Sequence, residues 1–364
     1  MSFGARAVIR LDALRHNLQV IREMAPAARV MAVIKANAYG HGLTEVAGAL
    51  TDIDSLAVAR LIEADALRVA GIETPIVILE GVFEAKDLHE AMAANCELVV
   101  HCIEQLEMLE NLDVGGLTVW LKFDSGMNRL GFRVSDADTV ISRARACSAI
   151  ADLKIMSHLA NADDRQDDKT SEQLGLFQSI AGSFDGDISI ANSPGLFGWP
   201  LAAKLAAVSG DVWIRPGIAL YGISPFPDST GADFGLQPVM QFESRLIAIK
   251  PIKAGEPVGY GGAWQASEDT VIGIVSAGYG DGYPRYLASG TPVLVNDRRV
   301  PLAGRVSMDM IAVDLGAGPS DSIGDRVILW GDGLPVEELA ERAGTIPYQL
   351  LCGVINREPG EYLD

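Results

Sequence analysis

The chain has 364 residues, of which 49% are apolar and 21% charged, a composition ordinary for a globular protein and a length that suggests two domains. Its 48 acidic side chains outnumber the 29 basic ones, giving a net charge of −19. A phosphate backbone or an anionic bilayer would repel such a surface, so neither nucleic acid nor membrane is an expected partner.

The opening segment, MSFGARAVIRLDALRHN, has no apolar stretch leading to a small-residue cleavage site, so it does not read as a signal peptide. No run of about 18 apolar residues is present to span a bilayer, and the expected compartment is the cytoplasm. Cys96, Cys102, Cys147 and Cys352 form no CxxC pair, which suggests free thiols and neither a zinc site nor a disulfide framework. A strand over residues 5–11 is expected to join the second domain. Asp12 reads as an N-cap before a helix whose apolar stripe is Leu14, Leu18, Ile21 and Met24.

From residue 28 to 222, short apolar runs alternate with segments of helical period. The runs are Val30–Ile34, Ser55–Val58, Ile76–Leu79, Leu98–Val100, Leu117–Leu121, Lys154–Met156, Ile188–Ala191 and Val212–Ile214. Leu61–Val69, Ala85–Ala94 and Glu172–Ile180 are among the helical segments between them. This alternation fits a (β/α)8 barrel, although a doubly wound open sheet would read the same way. The Pro-, Gly- and Asp-rich segment Ser224–Phe242 breaks the pattern. After it, Ser244–Lys250, Thr270–Ser276, Pro292–Val295 and Arg326–Trp330 follow a strand-and-turn grammar, with one helix expected at Pro335–Arg342. The predicted architecture is a (β/α)8 TIM barrel over residues 12–225 followed by a mainly β domain over 240–364.

The residues that end the runs carry the chemistry. The first run ends in Lys35, the fifth in Lys122, the sixth leads to His158, the seventh to Asn192 and Ser193, and the eighth to Arg215. In a barrel these ends converge on one mouth. A lysine behind five apolar residues loses solvation when charged, which lowers its pKa and favours the nucleophilic amine. Such an amine can condense with an aldehyde such as pyridoxal phosphate. The seventh and eighth strand ends, with Ser193 and Gly217, would offer its phosphate a seat.

Taken together, the motifs show a resemblance. Val33-Ile34-Lys35-Ala36-Asn37-Ala38-Tyr39-Gly40-His41-Gly42 resembles the cofactor-lysine signature of the alanine racemases, a pyridoxal-phosphate family. The likeness continues through Lys122 to Gly131, His158 to Asp163, Ala191-Asn192-Ser193, Arg215 to Gly222 and Val258-Gly259-Tyr260-Gly261. It ends with Gly278 to Gly282, Gly304 to Asp309, and Tyr348 to Arg357. The resemblance implies interconversion of L- and D-alanine for peptidoglycan in a homodimer whose subunits share their active sites. It implies Lys35 and Tyr260 as the two bases on opposite faces of the substrate. It also implies Arg215 against the pyridine nitrogen with His158 orienting it, and Arg129 on the cofactor and the substrate carboxylate. Lys122 resembles a lysine often carbamylated in the family, where it holds that arginine. Tyr39, Ser193, Gly217, Ile218 and Tyr348 match cofactor positions, and Met308 matches a substrate-binding position on the second subunit. Asp163, Tyr279, Arg305 and Asp309 match supporting positions or the access corridor.

The residues alone leave some choices open. Tyr260 and Tyr279 are both glycine-flanked, and only the family pattern assigns the base to the first. A broad-specificity amino acid racemase of the same family is the alternative function. A basic amino acid decarboxylase would need a longer chain, and a cofactor carrier with the barrel alone would leave the second domain unexplained.

Overall fold

The computed structural model describes residues 3–113, 115–203, 205, 209–355, 357 and 360–364. Asn356, within the motif Tyr348 to Arg357, lies outside them. Eight parallel strands close into a barrel: Arg29–Val33, Ser55–Val58, Ile76–Ile78, Cys96–Val100, Leu117–Asp124, Ile150–Met156, Ile188–Asn192 and Val212–Arg215, with the last paired back to the first. Closure excludes the open-sheet alternative. Barrel strands are buried on both faces, which is why they read as continuous apolar runs. Helices such as Leu61–Val69, Ala85–Ala93 and Lys169–Ala181 return the chain between strands.

Near the strands' N-terminal ends, away from the mouth, Lys154 lies between the Trp120 and Trp213 rings, 5.1 Å from each centroid. Its ammonium is held 3.5–3.6 Å from Glu97, Asp152 and Asp187. The two indole N–H groups donate to Glu97 and Asp187, so this buried cation is paired on every side and plugs the barrel floor.

The helix after the N-terminal strand spans Leu11–Met24 with Arg10 at its N-cap position, so Asp12 is not the cap. Its carboxylate instead meets the Arg10 guanidinium at 3.1 Å within the first turn. Leu14, Leu18 and Ile21 are buried, whereas Met24, the last residue of the helix, is exposed.

The second region is a sheet organised on the long strand Met240–Ile252. That strand pairs antiparallel with Arg6–Arg10, Thr270–Val275 and Arg326–Trp330. The N-terminal strand Arg6–Arg10 therefore belongs to this sheet, where it also pairs in parallel with Glu361–Leu363. Pro292–Val295, Arg298–Pro301 and Ile311–Gly316 complete it, and a helix at Val336–Arg342 packs beside it. A separate two-stranded hairpin, Pro257–Val258 with Trp264–Gln265, carries Tyr260 at its tip. No helix among the described residues is long and apolar enough to cross a membrane.

Candidate active site

The barrel mouth holds a cavity of about 510 Å³. Lys35, Tyr39, Lys122, Arg129, His158, Ser193, Arg215, Gly217, Ile218 and Tyr348 all line it, together with Glu80, Asn192 and Cys352. These residues come from separate strand ends and from the helix Pro347–Cys352 beyond the barrel.

Lys35 stands just past the first strand and opens an unusual turn: Ala36, Asn37, Ala38 and Tyr39 all have positive φ, between 52° and 55°. A left-handed turn of L-residues costs about 1–2 kcal/mol per residue, so neighbouring groups must hold it. Glu63, in the first turn of the helix Leu61–Val69, accepts the Ala36 N–H at 2.7 Å through one oxygen. Its other oxygen accepts the Ala59 and Arg60 N–H groups. The Asn37 side chain accepts the Leu43 N–H at 2.9 Å. Burial, and then the Arg129 guanidinium, lower the pKa of the Lys35 amine.

Lys122 lies within the strand Leu117–Asp124, and burial followed by the Arg215, Arg129 and Lys35 charges brings its pKa down to about 7. Asp124 then shapes the loop that presents Arg129: its Oδ1 accepts the Gly126 and Asn128 N–H groups at 2.9 and 3.0 Å. At Gly131 (φ 130°) a Cβ would lie 2.7 Å from the Asp124 nitrogen, so glycine closes that loop.

Arg215 is buried at the cavity floor. It donates to the Ser189 hydroxyl, to the Ser157 carbonyl at 2.5 Å and to His158 Nδ1 at 3.3 Å. Burial pulls its pKa to about 10, so it remains a cation at neutral pH. His158 is held neutral by burial and then by the Arg215 charge, its pKa lying well below the usual imidazole value. Gln173 fixes the histidine's backbone, donating to the His158 carbonyl at 3.0 Å and to the Ser125 hydroxyl, which itself bonds Ser157.

The chain just past the seventh and eighth strands forms a cradle. Ser193 Oγ accepts the Gly217 N–H at 2.9 Å and the Ala219 N–H at 3.4 Å. A Cβ at residue 217 would sit 2.5 Å from the Tyr39 hydroxyl, so only glycine leaves that space. Tyr39 packs between Tyr221 and Tyr348, at centroid distances of 4.8 and 5.9 Å.

The remaining predicted residues do not line this cavity. Tyr260, 68% exposed, Tyr279 and Met308, 54% exposed, lie on the surface of the second region with Arg305 and Asp309. They share one face there. The Tyr279 and Gly280 N–H groups donate to the Ser307 and Met308 carbonyls at 3.0 and 2.8 Å. The glycine after Tyr260 approaches the Arg305 guanidinium, and Asp309 pairs with Arg357 at 2.7 Å. Asp163 is exposed in the loop after the strand Ile150–Met156; burial, and then the Asp163 charge, raise the pKa of Tyr348.

The comparisons agree along the whole chain. Residues 9–225 match the family model described as alanine racemase, N-terminal domain, and residues 239–362 match alanine racemase, C-terminal domain. The chain belongs to the alanine racemase family. Among curated alanine racemases, the biosynthetic enzyme of Escherichia coli is 50% identical over 364 residues, and that of Aeromonas hydrophila 48% over 362, each alignment covering 99% of both chains. The crystal structure of biosynthetic alanine racemase from Pseudomonas aeruginosa superposes with a TM-score of 0.93 at 43% identity, covering 100% of both chains. The structure of alanine racemase from Acinetobacter baumannii gives 0.89 at 36%, covering 99% of this chain and 100% of its own.

Glu80 and Glu63 were not expected near the site, and Cys352 was expected only as a free thiol. Glu80 follows the run Ile76–Leu79 directly, so the strand-end rule that found Lys35 also points to it. Glu63 and Cys352 sit on helices, and no strand-end signal marks them.

Proposed function

We propose that this member of the alanine racemase family interconverts L- and D-alanine, and that pyridoxal phosphate is the group its barrel mouth holds. One observation carries the reading: a half-buried, pKa-lowered amine shares a cavity with the Ser193, Gly217 and Tyr39 cradle and with a guanidinium kept charged at neutral pH. The residues suit the cofactor. The space at Gly217, the Ser193 hydroxyl and the Tyr39 hydroxyl would take its phosphate, Lys35 would anchor it covalently, and Arg215 would face its ring nitrogen. Bound there, it would supply the electron sink that acidifies the substrate Cα–H bond.

The chain's own residues supply the rest. Stereochemical inversion needs an acid–base group on each face of the reacting carbon. Lys35, released when substrate arrives, would serve one face and Tyr260 the other. A positioned acid or base contributes roughly 10²–10⁴-fold. Arg129 would bind the substrate carboxylate, with Lys122 beside it in the cavity. Arg215 keeps its proton at neutral pH, so it would donate to the ring nitrogen and would leave that nitrogen without charge, which would restrain side reactions such as transamination.

Tyr260 and Met308 are exposed on a face apart from the cavity, which favours a homodimer in which each copy completes the other's site. Tyr279, Arg305, Asp309 and Asp163 would then border the access corridor. The reading assigns the enzyme to the cytoplasm, supplying D-alanine to peptidoglycan.

The test is direct. Purified protein is given L-alanine with and without pyridoxal phosphate, and D-alanine is measured with a D-specific oxidase. A second sample is reduced with borohydride and mapped by peptide mass. Cofactor-dependent D-alanine and a reduced adduct on Lys35 are expected; D-alanine formation indifferent to the cofactor would overturn the reading.

A further inference from the structure

We propose that His41 is a positioning residue: by gripping the left-handed turn between Lys35 and Gly40, it sets the Tyr39 hydroxyl in the cradle at a fixed span from the Lys35 amine. The inference rests on the pyridoxal phosphate reading, because that span matters only to a ligand carrying both an aldehyde and a phosphate.

His41 does not line the cavity. It lies behind it, 1% exposed. Its Nδ1 is 2.9 Å from the Ala38 carbonyl and 3.0 Å from the Tyr39 carbonyl. Carbonyls only accept, so Nδ1 carries the hydrogen and shares it between the last two carbonyls of the turn. Burial keeps the ring neutral, with its pKa brought down to about 4, and Nε2 has no partner among the described residues. The imidazole therefore has one polar task, and it is directed at this turn.

The ring's flat face does the second part. It stacks on Tyr221 with centroids 4.4 Å apart, and Tyr221 packs on Tyr39 at 4.8 Å. The Tyr221 hydroxyl donates to the Val33 carbonyl at 3.2 Å, at the end of the strand that leads to Lys35. His41 thus touches the turn's backbone directly, and through Tyr221 it reaches both the Tyr39 ring and the Lys35 strand. A turn with four unfavourable φ values has an alternative to relax into once its grip is lost, and relaxation would swing Tyr39 away from Gly217.

The test separates the donor from the ring. His41→Phe keeps a stacking ring and removes the N–H. His41→Asn keeps an N–H close to the Nδ1 position and removes the ring. Dissociation constants are measured on the cofactor-free full chain for pyridoxal phosphate and for unphosphorylated pyridoxal. Loss of the grip should weaken pyridoxal phosphate about tenfold in His41→Phe and pyridoxal far less, and His41→Asn should recover most of the difference. Equal weakening of both compounds, or a His41→Phe protein that binds like wild type, would overturn the proposal. Wild-type protein that binds neither compound would instead remove the cofactor reading, and this inference with it. Should His41→Phe fail to fold, ¹⁵N spectra of the wild-type imidazole decide: a protonated Nδ1 is expected, and a protonated Nε2 would overturn the grip.

Discussion

Lys122 shares the barrel mouth with Arg215, Arg129 and Lys35, and its pKa is drawn from 10.5 to about 7, first by burial and then by those cations. An amine with a folded pKa below its unfolded value costs stability as the pH falls. Above both values neither state is charged; between them only the unfolded chain takes up the proton. Stability should therefore fall by about 1.4 kcal/mol per pH unit from 10.5 down to about 7 and level off below. At neutral pH the penalty reaches at most about 5 kcal/mol, before any relaxation around the amine. Lys122→Met keeps an unbranched apolar stem, one atom shorter, and removes the charge. The assay is urea unfolding of cofactor-free protein in carbonate-free buffer at pH 7.5 and 9.5. The variant should be more stable than wild type at pH 7.5, and the gap should shrink by up to about 3 kcal/mol at pH 9.5. Added bicarbonate should also narrow the gap, because a carbamate on wild-type Lys122, formed from its neutral amine, would place an anion among three cations. A variant no more stable than wild type at pH 7.5, or a gap indifferent to pH, would refute the reasoning.

Lys35→Ala should fold and yet retain no cofactor after borohydride reduction; a reduced adduct in the variant would assign the anchor to another lysine. Arg215→Glu replaces a permanent donor with an acid able to favour a protonated ring nitrogen, so pyruvate formed per racemisation turnover should rise, and an unchanged ratio would exclude that contact. Tyr260→Phe should nearly abolish racemisation in both directions while α-proton exchange of D-alanine with solvent remains measurable through Lys35. Tyr279→Phe should change apparent substrate affinity more than face-selective exchange, and the reverse pattern in these two variants would exchange the roles of the tyrosines.

The barrel was legible because its strands are buried on both faces and so appear as unbroken apolar runs, with Leu61–Val69 equally plain as a helix. The second region was only partly legible. Arg298–Pro301 is an edge strand with mostly exposed side chains, and Glu361–Leu363 is too short to show a period. The long strand Met240–Ile252 begins inside the segment that Pro, Gly and Asp mark as irregular. At the site, Lys35, Lys122, His158, Ser193 and Arg215 were visible because each ends or follows an apolar run. The turn Ala36–Tyr39 was not: only Asn37 is of a type that enters the left-handed region readily, its alanine and tyrosine neighbours are not, and the conformation depends on Glu63 and His41 around it. The separation of Tyr260 and Met308 from the cavity was equally invisible in composition or period; the family motifs alone suggested that a second copy is involved.

The central claim is that one site is built from Lys35 of one copy and Tyr260 of another, and mixing two inactive proteins tests it most directly. Lys35→Ala lacks the barrel base and Tyr260→Phe lacks the other. In a heterodimer that shares its sites, one site would carry both lesions and the other neither. After subunit exchange, verified by mass, alanine racemisation should return from two proteins that each have almost none. No recovery in demonstrated heterodimers would contradict a site shared between copies.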